Sequence, residues 1–269
     1  MSALRALEKD WQEWVKENIA RGVSVNKLAV TLFNKGWIDA AYELINDNSN
    51  NLKAPHINTS HNYIQLSDKR VSISFTCYSP FVVSIDDFLS FDECQALISD
   101  ADSKLKASRV VNPKDGSFIE HNARTSTSTG YQRGQTAVIK TIESRISELL
   151  HWPVDHGEGL QVLRYEDGGE YRPHFDFFDP AKKSSEVVTK KGGQRVGTFL
   201  MYLSDVGAGG ATRFPKLNFE VRPKKGSALY FANTDLNGDI NPLTLHAGMP
   251  VTEGVKYLST KWLREKPYV

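Results

Sequence analysis

His174-Phe175-Asp176 sets an imidazole and a carboxylate two residues apart. In an extended strand, positions i and i+2 face the same side. Both side chains can then meet one metal ion while Phe175 turns away. A histidine and a carboxylate are two-thirds of the facial triad that leaves open positions on non-haem iron(II). Taken alone the tripeptide is weak, because short motifs recur by accident. The third ligand should be a distant histidine, and the chain has seven histidines. His56 and His61 fall in an Asn- and Ser-rich stretch, His121 in a polar loop, and His151 and His156 flank Pro153 at a helix end. Surface or capping roles suit those five. His246 differs: it is expected to end a short strand, Thr244-Leu245-His246, before Ala247-Gly248-Met249-Pro250.

Lys256 sharpens the pattern. Pro250 to Gly254 reads as a hairpin turn centred near residue 251, which would fold Lys256 back opposite His246. Cross-strand neighbours hold their Cβ atoms roughly 5 Å apart. A lysine beside a metal-binding histidine in a strand pocket needs an anion, and the distal carboxylate of a chelating 2-oxo acid fits. Leu258, Thr260 and Trp262 share the face of Lys256, which makes that face buried rather than a solvent edge.

These residues need strands to hold them. After residue 159 the chain reads as short strands separated by turns: Gln161–Tyr165, Tyr171–Asp176, Val196–Leu203, Phe219–Val221, Ser227–Phe231, Thr244–His246 and Lys256–Leu263. The polar stretch 182–194, ending in Gly192-Gly193, reads as a mobile loop. Upstream, 71–76 and 81–85 have strand patterns. Ser90-Phe91-Asp92-Glu93 matches a capping box for a helix carrying Cys94, Leu97, Ile98, Ala101 and Leu105. A second helix is expected over 135–151. Helices followed by many short strands indicate an α+β domain with a sandwich or barrel core, over residues 63–269. Residues 1–46 have helical spacing, with breaks at Gly22 and Gly36 and a cap at Ser24. Trp11 and Trp14 suit the core of that helical region or its seam with the rest. Residues 47–62, rich in Asn and Ser, read as a linker.

Bulk composition narrows the class further. The net charge is +1, which points to neither nucleic acid nor an anionic membrane. No apolar run approaches membrane-spanning length, and the N-terminus lacks an apolar signal core, so a cytoplasmic protein is expected. The two cysteines, Cys77 and Cys94, lack zinc-motif spacing and make no disulfide framework. No serine or cysteine nucleophile and no phosphate-binding Gly-rich loop suggests another mechanism.

The ordered set His174-x-Asp176, His246, Lys256 and Trp262 resembles the prolyl 4-hydroxylase branch of the iron(II)- and 2-oxoglutarate-dependent dioxygenases. Flanking pieces resemble it too: Asp87-Phe88-Leu89-Ser90 with Glu93-Cys94, Arg124-Thr125-Ser126, Arg164-Tyr165 through Tyr171 and Pro173, Gly209-Gly210-Ala211-Thr212-Arg213-Phe214-Pro215, and Lys225-Gly226. The likeness covers residues 80–265, and motifs co-occurring in order are far more specific than any one of them. It implies a double-stranded β-helix, or jelly-roll, core with supporting helices. It implies Fe(II) held by His174, Asp176 and His246, and 2-oxoglutarate paired through its distal carboxylate with Lys256, beside Thr212 and Tyr165. Tyr171, Arg195 and Trp262 fall where the family contacts substrate. Oxygen as co-substrate, L-ascorbate as reductant, and release of succinate and carbon dioxide are implied with these. A proline-containing peptide or protein is the expected substrate; a free amino acid or another protein side chain is the alternative. A metal-binding but inactive interaction module is a third reading, and a zinc hydrolase lacks a general base. Nucleic-acid substrates are disfavoured, because those relatives carry arginine where Lys256 stands. The N-terminal helices lie outside the likeness; they could recruit a partner, bury a homodimer interface or brace the core.

Overall fold

A computed structural model describes residues 2–23, 25–47, 55–111, 115, 117–120, 122–235 and 238–269. The expected cap Ser24, linker residues 48–54 and His121 lie outside them.

The N-terminal region is helical, but its first helix is divided into Ala3–Ala6 and Lys9–Ala20. The break lies at Leu7 and Glu8, whose backbones are extended. Leu7 thereby turns inward and is 4% exposed, while Gln12 donates to the freed Arg5 and Leu7 carbonyls. Helices Val25–Asn34 and Ile38–Asp47 complete the unit. Its own core holds Leu7, Val15, Leu28, Leu32, Leu44 and Ile45, and Trp11 and Trp14 pack against it edge to face. The seam with the rest of the chain is made instead by Phe33 and Tyr42, which meet Tyr78 and Phe81.

The remainder is built on two antiparallel sheets, as the α+β jelly-roll expectation requires. The larger has nine strands, in spatial order Tyr63–Gln65, Arg70–Tyr78, Phe81–Asp86, Ala228–Ala232, Arg195–Tyr202, Lys256–Arg264, Gln161–Tyr165, Thr127–Gly130 and Lys106–Ala107. The smaller has four: Phe219–Val221, Thr212–Phe214, His246–Gly248 and Tyr171–His174. Helices Phe91–Asp102 and Ala137–Leu150 cover one face of the large sheet, burying Cys94, Leu97, Ile139, Ile142 and Ile146. The Ser90–Glu93 capping box starts the first of them, with both reciprocal hydrogen bonds formed. Arg145 ties the second helix to Asp68 and Glu93, and Lys261 forms a fully buried pair with Glu143.

Strand Arg195–Tyr202 is buried along its whole length at the middle of the large sheet. Side chains alternate across a strand. Phe199 and Met201 therefore join the core under the helices, while Leu200 and Tyr202 join Phe214, Phe231 and Leu258 between the sheets; Val196 also faces the helices, where the register shifts between Arg195 and Gly197.

Several expected elements differ. The stretch 182–194 is not simply a loop, because helix Lys183–Thr189 occupies much of it. No side chain caps its start, while at its C-terminal end Arg264 donates to the Val188 carbonyl and the Gly193 amide to that of Thr189. The strand expected to reach Asp176 stops at His174. Residues 242–244 form a 3-10 turn capped by Asn241, so His246 begins its strand rather than ending one. Residues 250–254 do not join His246 to Lys256 in a hairpin. Val251–Glu253 pairs with Ala208–Gly209, and the strands of His246 and Lys256 belong to different sheets. Among the described residues, no helix is long and apolar enough to cross a membrane.

Candidate active site

His174 and His246 are direct register partners on adjacent strands of the small sheet. Their rings lie 4.3 Å apart between centroids. Asp176 follows two residues after His174, where the chain has left the strand. Its Oδ1 is 3.8 Å from His174 Nε2 and its Oδ2 is 3.6 Å from His246 Nε2. The three ligand atoms lie within 4.8 Å of one another.

The protonation pattern follows from the partners. His174 Nδ1 lies 2.8 Å from the Arg172 carbonyl and His246 Nδ1 2.9 Å from that of Thr244. A carbonyl only accepts, so each Nδ1 carries a proton and each Nε2 is the nitrogen turned towards Asp176. Burial, with His246 alongside, pushes His174 down to about 3, so its ring is neutral at ordinary pH. Burial would raise Asp176, but facing His246 and His174, Arg195 and the Thr198 hydroxyl bring it down to about 2. The Nε2 atoms of two imidazoles thus converge on an ionised carboxylate. A divalent cation suits that donor set, and two nitrogens with one oxygen suit iron(II).

Lys256 enters from the opposite sheet, paired in register with Tyr165. It is 2% exposed and donates to the Gly210 carbonyl at 2.5 Å. The rings of Tyr165 and Tyr202 lie 5.6 and 5.8 Å from its nitrogen. Burial lowers its pKa to about 7. No salt bridge to it is found among the described residues. A buried ammonium with one carbonyl acceptor and no counter-ion fits a carboxylate-bearing ligand. Thr212 lines the same inner chamber and accepts from Tyr202 at 2.8 Å. The chamber also holds Tyr165, the metal triad, Leu258, Thr260 and Trp262. The residues expected around the metal and co-substrate are therefore brought together, although not by the expected hairpin.

A cleft of about 1100 Å³ lies outside this chamber. Arg124, Tyr171, His174, Asp176 and Trp262 line both, which puts two of the triad at the junction and His246 on the inner side. Tyr171 stacks on His174 at 3.5 Å, and the Arg124 guanidinium lies 4.8 Å from the Tyr171 ring. Burial raises the Tyr171 phenol to about 12, so it keeps its proton. Arg195 sits 3.9 Å over the Trp262 ring. It is not a free cation, because Glu158 accepts from its Nε at 2.6 Å and its Nη2 at 2.9 Å. Arg264 reaches the same Glu158 oxygen at 3.1 Å. The sequence reading missed Glu158 and Thr198, which hold Arg195 and Asp176; a lone acid before a strand and a threonine within an apolar one carry no local signal.

Comparison with known proteins agrees with this geometry. Residues 160–264 match the 2OG-Fe(II) oxygenase superfamily. Probable prolyl 4-hydroxylase 3 of Arabidopsis thaliana is 40% identical over 210 residues, 71% of each chain. Prolyl 4-hydroxylase 5 of the same plant is 41% identical over 204 residues, 69% of this chain and 68% of that one. The solved viral collagen prolyl hydroxylase of Paramecium Bursaria Chlorella virus-1, in complex with 2OG, superposes with a TM-score of 0.54 at 32% identity. The match covers 70% of this chain and 98% of that one. Jelly-roll, triad and buried lysine together define a 2-oxoglutarate- and iron(II)-dependent dioxygenase. Within that class, the chain belongs to the prolyl 4-hydroxylase family.

Proposed function

We propose that this protein hydroxylates proline residues within peptides or proteins. The observation that carries the reading is the buried Lys256, which has no counter-ion among the described residues, facing one chamber with the His174–Asp176–His246 set, at the floor of a cleft roomy enough for an extended chain. The sequence relatives are named as prolyl 4-hydroxylases, which supports proline as the target.

In this reading His174, Asp176 and His246 hold iron(II). Lys256 binds the distal carboxylate of 2-oxoglutarate, with Tyr165 and Thr212 beside it. When bound, iron(II) and 2-oxoglutarate supply the oxidation: one atom of dioxygen enters succinate as carbon dioxide leaves, and the other enters the substrate C–H bond. The protein's part is placement and exclusion of water. Thr198 orients Asp176, and the backbone carbonyls of Arg172 and Thr244 fix the two rings. Tyr171 and Trp262 form the wall between chamber and cleft, with Arg195 over Trp262 on the cleft side. Their flat faces suit a pyrrolidine ring, and Glu158 keeps Arg195 there.

The test is turnover of 2-oxoglutarate by purified protein with iron(II) and ascorbate, across proline-containing peptides and free amino acids, with His174→Ala as control. Succinate release coupled to hydroxyproline in peptides supports the proposal. Turnover coupled only to a small molecule overturns it. Stoichiometric iron without succinate from any substrate would make the protein an inactive binding module.

A further inference from the structure

The active-site cleft carries positive charge that the triad and Lys256 do not use. Lys106, Arg109, Arg124, Lys182 and Arg195 line it. The acids in the lining are Glu158, Asp176 and Asp179. Two of these are taken, Glu158 by Arg195 and Arg264, and Asp176 by its place in the triad. Among the described residues, no salt bridge reaches Lys106, Arg109, Arg124 or Lys182. Asp179 alone is left to balance them, and it accepts from the Ala181 amide of its own loop.

Arg124 differs from the other three, which are exposed. It is only 9% exposed, and its Nε has no hydrogen-bond partner among the described residues. A buried donor left unmet is costly until an acceptor arrives. A backbone bridge to Tyr171 ties Arg124 to the strand of His174. Its Nη2 donates to Gln161 Oε1 at 3.3 Å, and Gln161 Nε2 donates to Ser128 Oγ at 3.2 Å. Lys106 is the register partner of Ser128, on the edge strand of the large sheet. A polar row therefore crosses the cleft floor, from a buried guanidinium beside the triad to an exposed ammonium at the sheet edge.

We propose that this row binds acidic side chains of the substrate, so that the cleft selects prolines with Asp or Glu on one flank. The inference rests on the peptidyl-proline reading above. Strand spacing sets the reach. Neighbouring strands lie roughly 4.8 Å apart, so the two steps from the strand of Gln161 to that of Lys106 cover roughly 10 Å. An extended peptide crosses that distance in about three residues. The carboxylate nearest the proline meets Arg124, whose planar fork suits it, and one further out meets Lys106. Lys182 and Arg109, whose register partner is Glu120, add only to the surrounding field. A lysine on the same flank would meet like charge, so the row rejects as well as selects.

The test uses the full chain with iron(II), 2-oxoglutarate and ascorbate. Peptides carry one target proline and three glutamates, glutamines or lysines, placed either before or after it. We expect KM at least about fivefold lower for glutamate than for glutamine on one flank only, and higher for lysine than for glutamine on that flank. The gap should narrow as salt is raised. Lys106 is exposed at a sheet edge, so Lys106→Glu changes the outer end of the row without opening a core. It should shift the glutamate-to-lysine ratio of KM towards lysine, and Arg124→Gln should reduce the glutamate preference. Each readout is a ratio within one variant, so a general loss of activity does not mimic it. Equal KM for glutamate and glutamine peptides, the same preference on both flanks, or a ratio that neither substitution moves overturns the proposal. Calorimetry with the same peptides separates the two readings. A glutamate preference in binding that Lys106→Glu removes, without hydroxylation of any peptide, would end the functional reading and leave the acidic site standing. Hydroxylation without a charge preference would do the reverse. An oligonucleotide that binds more tightly than the glutamate peptide would assign the row to another polyanion and overturn the proposal.

Discussion

The hydroxyl of Thr198 donates to Oδ2 of Asp176 at 2.8 Å, and Asn233 donates to that same hydroxyl at 3.0 Å. This chain fixes the one acidic member of the triad from beneath. Groups that orient a metal ligand are typically worth about 10–100-fold in metal affinity. Thr198→Val keeps the shape and removes the hydroxyl. Iron(II) affinity, measured by anaerobic titration, should fall by about that factor. Stability should drop by about 1–3 kcal/mol as Asn233 loses its acceptor. Unchanged iron affinity would show that Asp176 is held by its backbone alone.

Lys256 makes 2-oxoglutarate binding depend on pH. A carboxylate needs the ammonium form, and burial has lowered this amine to about 7. The dissociation constant should be flat below pH 7 and rise about tenfold per unit above it. Lys256→Met should abolish measurable 2-oxoglutarate binding. It should also raise the melting midpoint of the ligand-free protein. The sign follows from the folded pKa lying below the unfolded value of about 10.4. Folding is then penalised below pH 10, increasingly as pH falls towards 7, and methionine removes the penalty. A ligand-free variant that melts lower would place an unrecognised anion beside Lys256.

Glu158 neutralises two arginines that meet on its carboxylate. Burial alone would raise its pKa, but Arg195 and Arg264 hold it below the usual range. Its contribution to stability is therefore present above about pH 4.3 and lost as pH falls through the lower folded value. Glu158→Gln should destabilise the fold by about 3–5 kcal/mol in urea, because two buried guanidinium groups lose their carboxylate, Arg264 keeping only the Val188 and Lys191 carbonyls. It should also flatten the acid limb of the stability profile. Peptide KM should rise, since Arg195 is no longer fixed over Trp262. A variant as stable as the parent would mean the arginines find other acceptors.

Metal removal should abolish turnover and leave the fold standing. The core under the helices contains none of the triad, and of the three ligands His246 packs its ring on Phe231 and Phe214 of the core between the sheets. Chelation should therefore lower the melting midpoint without changing far-ultraviolet dichroism. Re-addition of metal at about 100 times its dissociation constant should restore about 2.7 kcal/mol. Loss of secondary structure on chelation would contradict that separation of core from site.

The strands Gln161–Tyr165 and Phe219–Val221 follow from sequence with their full bounds, because alternation is a local signal. His246 and Lys256 were paired by a hairpin that does not exist. They meet because two sheets face each other, and that closure leaves no mark in local spacing. Helix Lys183–Thr189 has no local signal because its sequence is polar and short, it lacks a side-chain cap, and its last carbonyls are met by the distant Arg264 and by Gly193. Glu158 is 37 residues from Arg195 and 106 from Arg264, distances over which one sequence gives no pairing signal.

Strand Arg195–Tyr202 has a bearing on how such a protein can diversify. Thr198, Leu200 and Tyr202 serve the chamber from one side, and Phe199 and Met201 fill the core from the other. Inserting or deleting one residue before Thr198 would exchange the two sets at a stroke. Lineages can therefore trade this strand's residues only in place. New substrate preferences must arise at the cleft rim and in the helices beyond it, where insertions leave the oxidising centre in register.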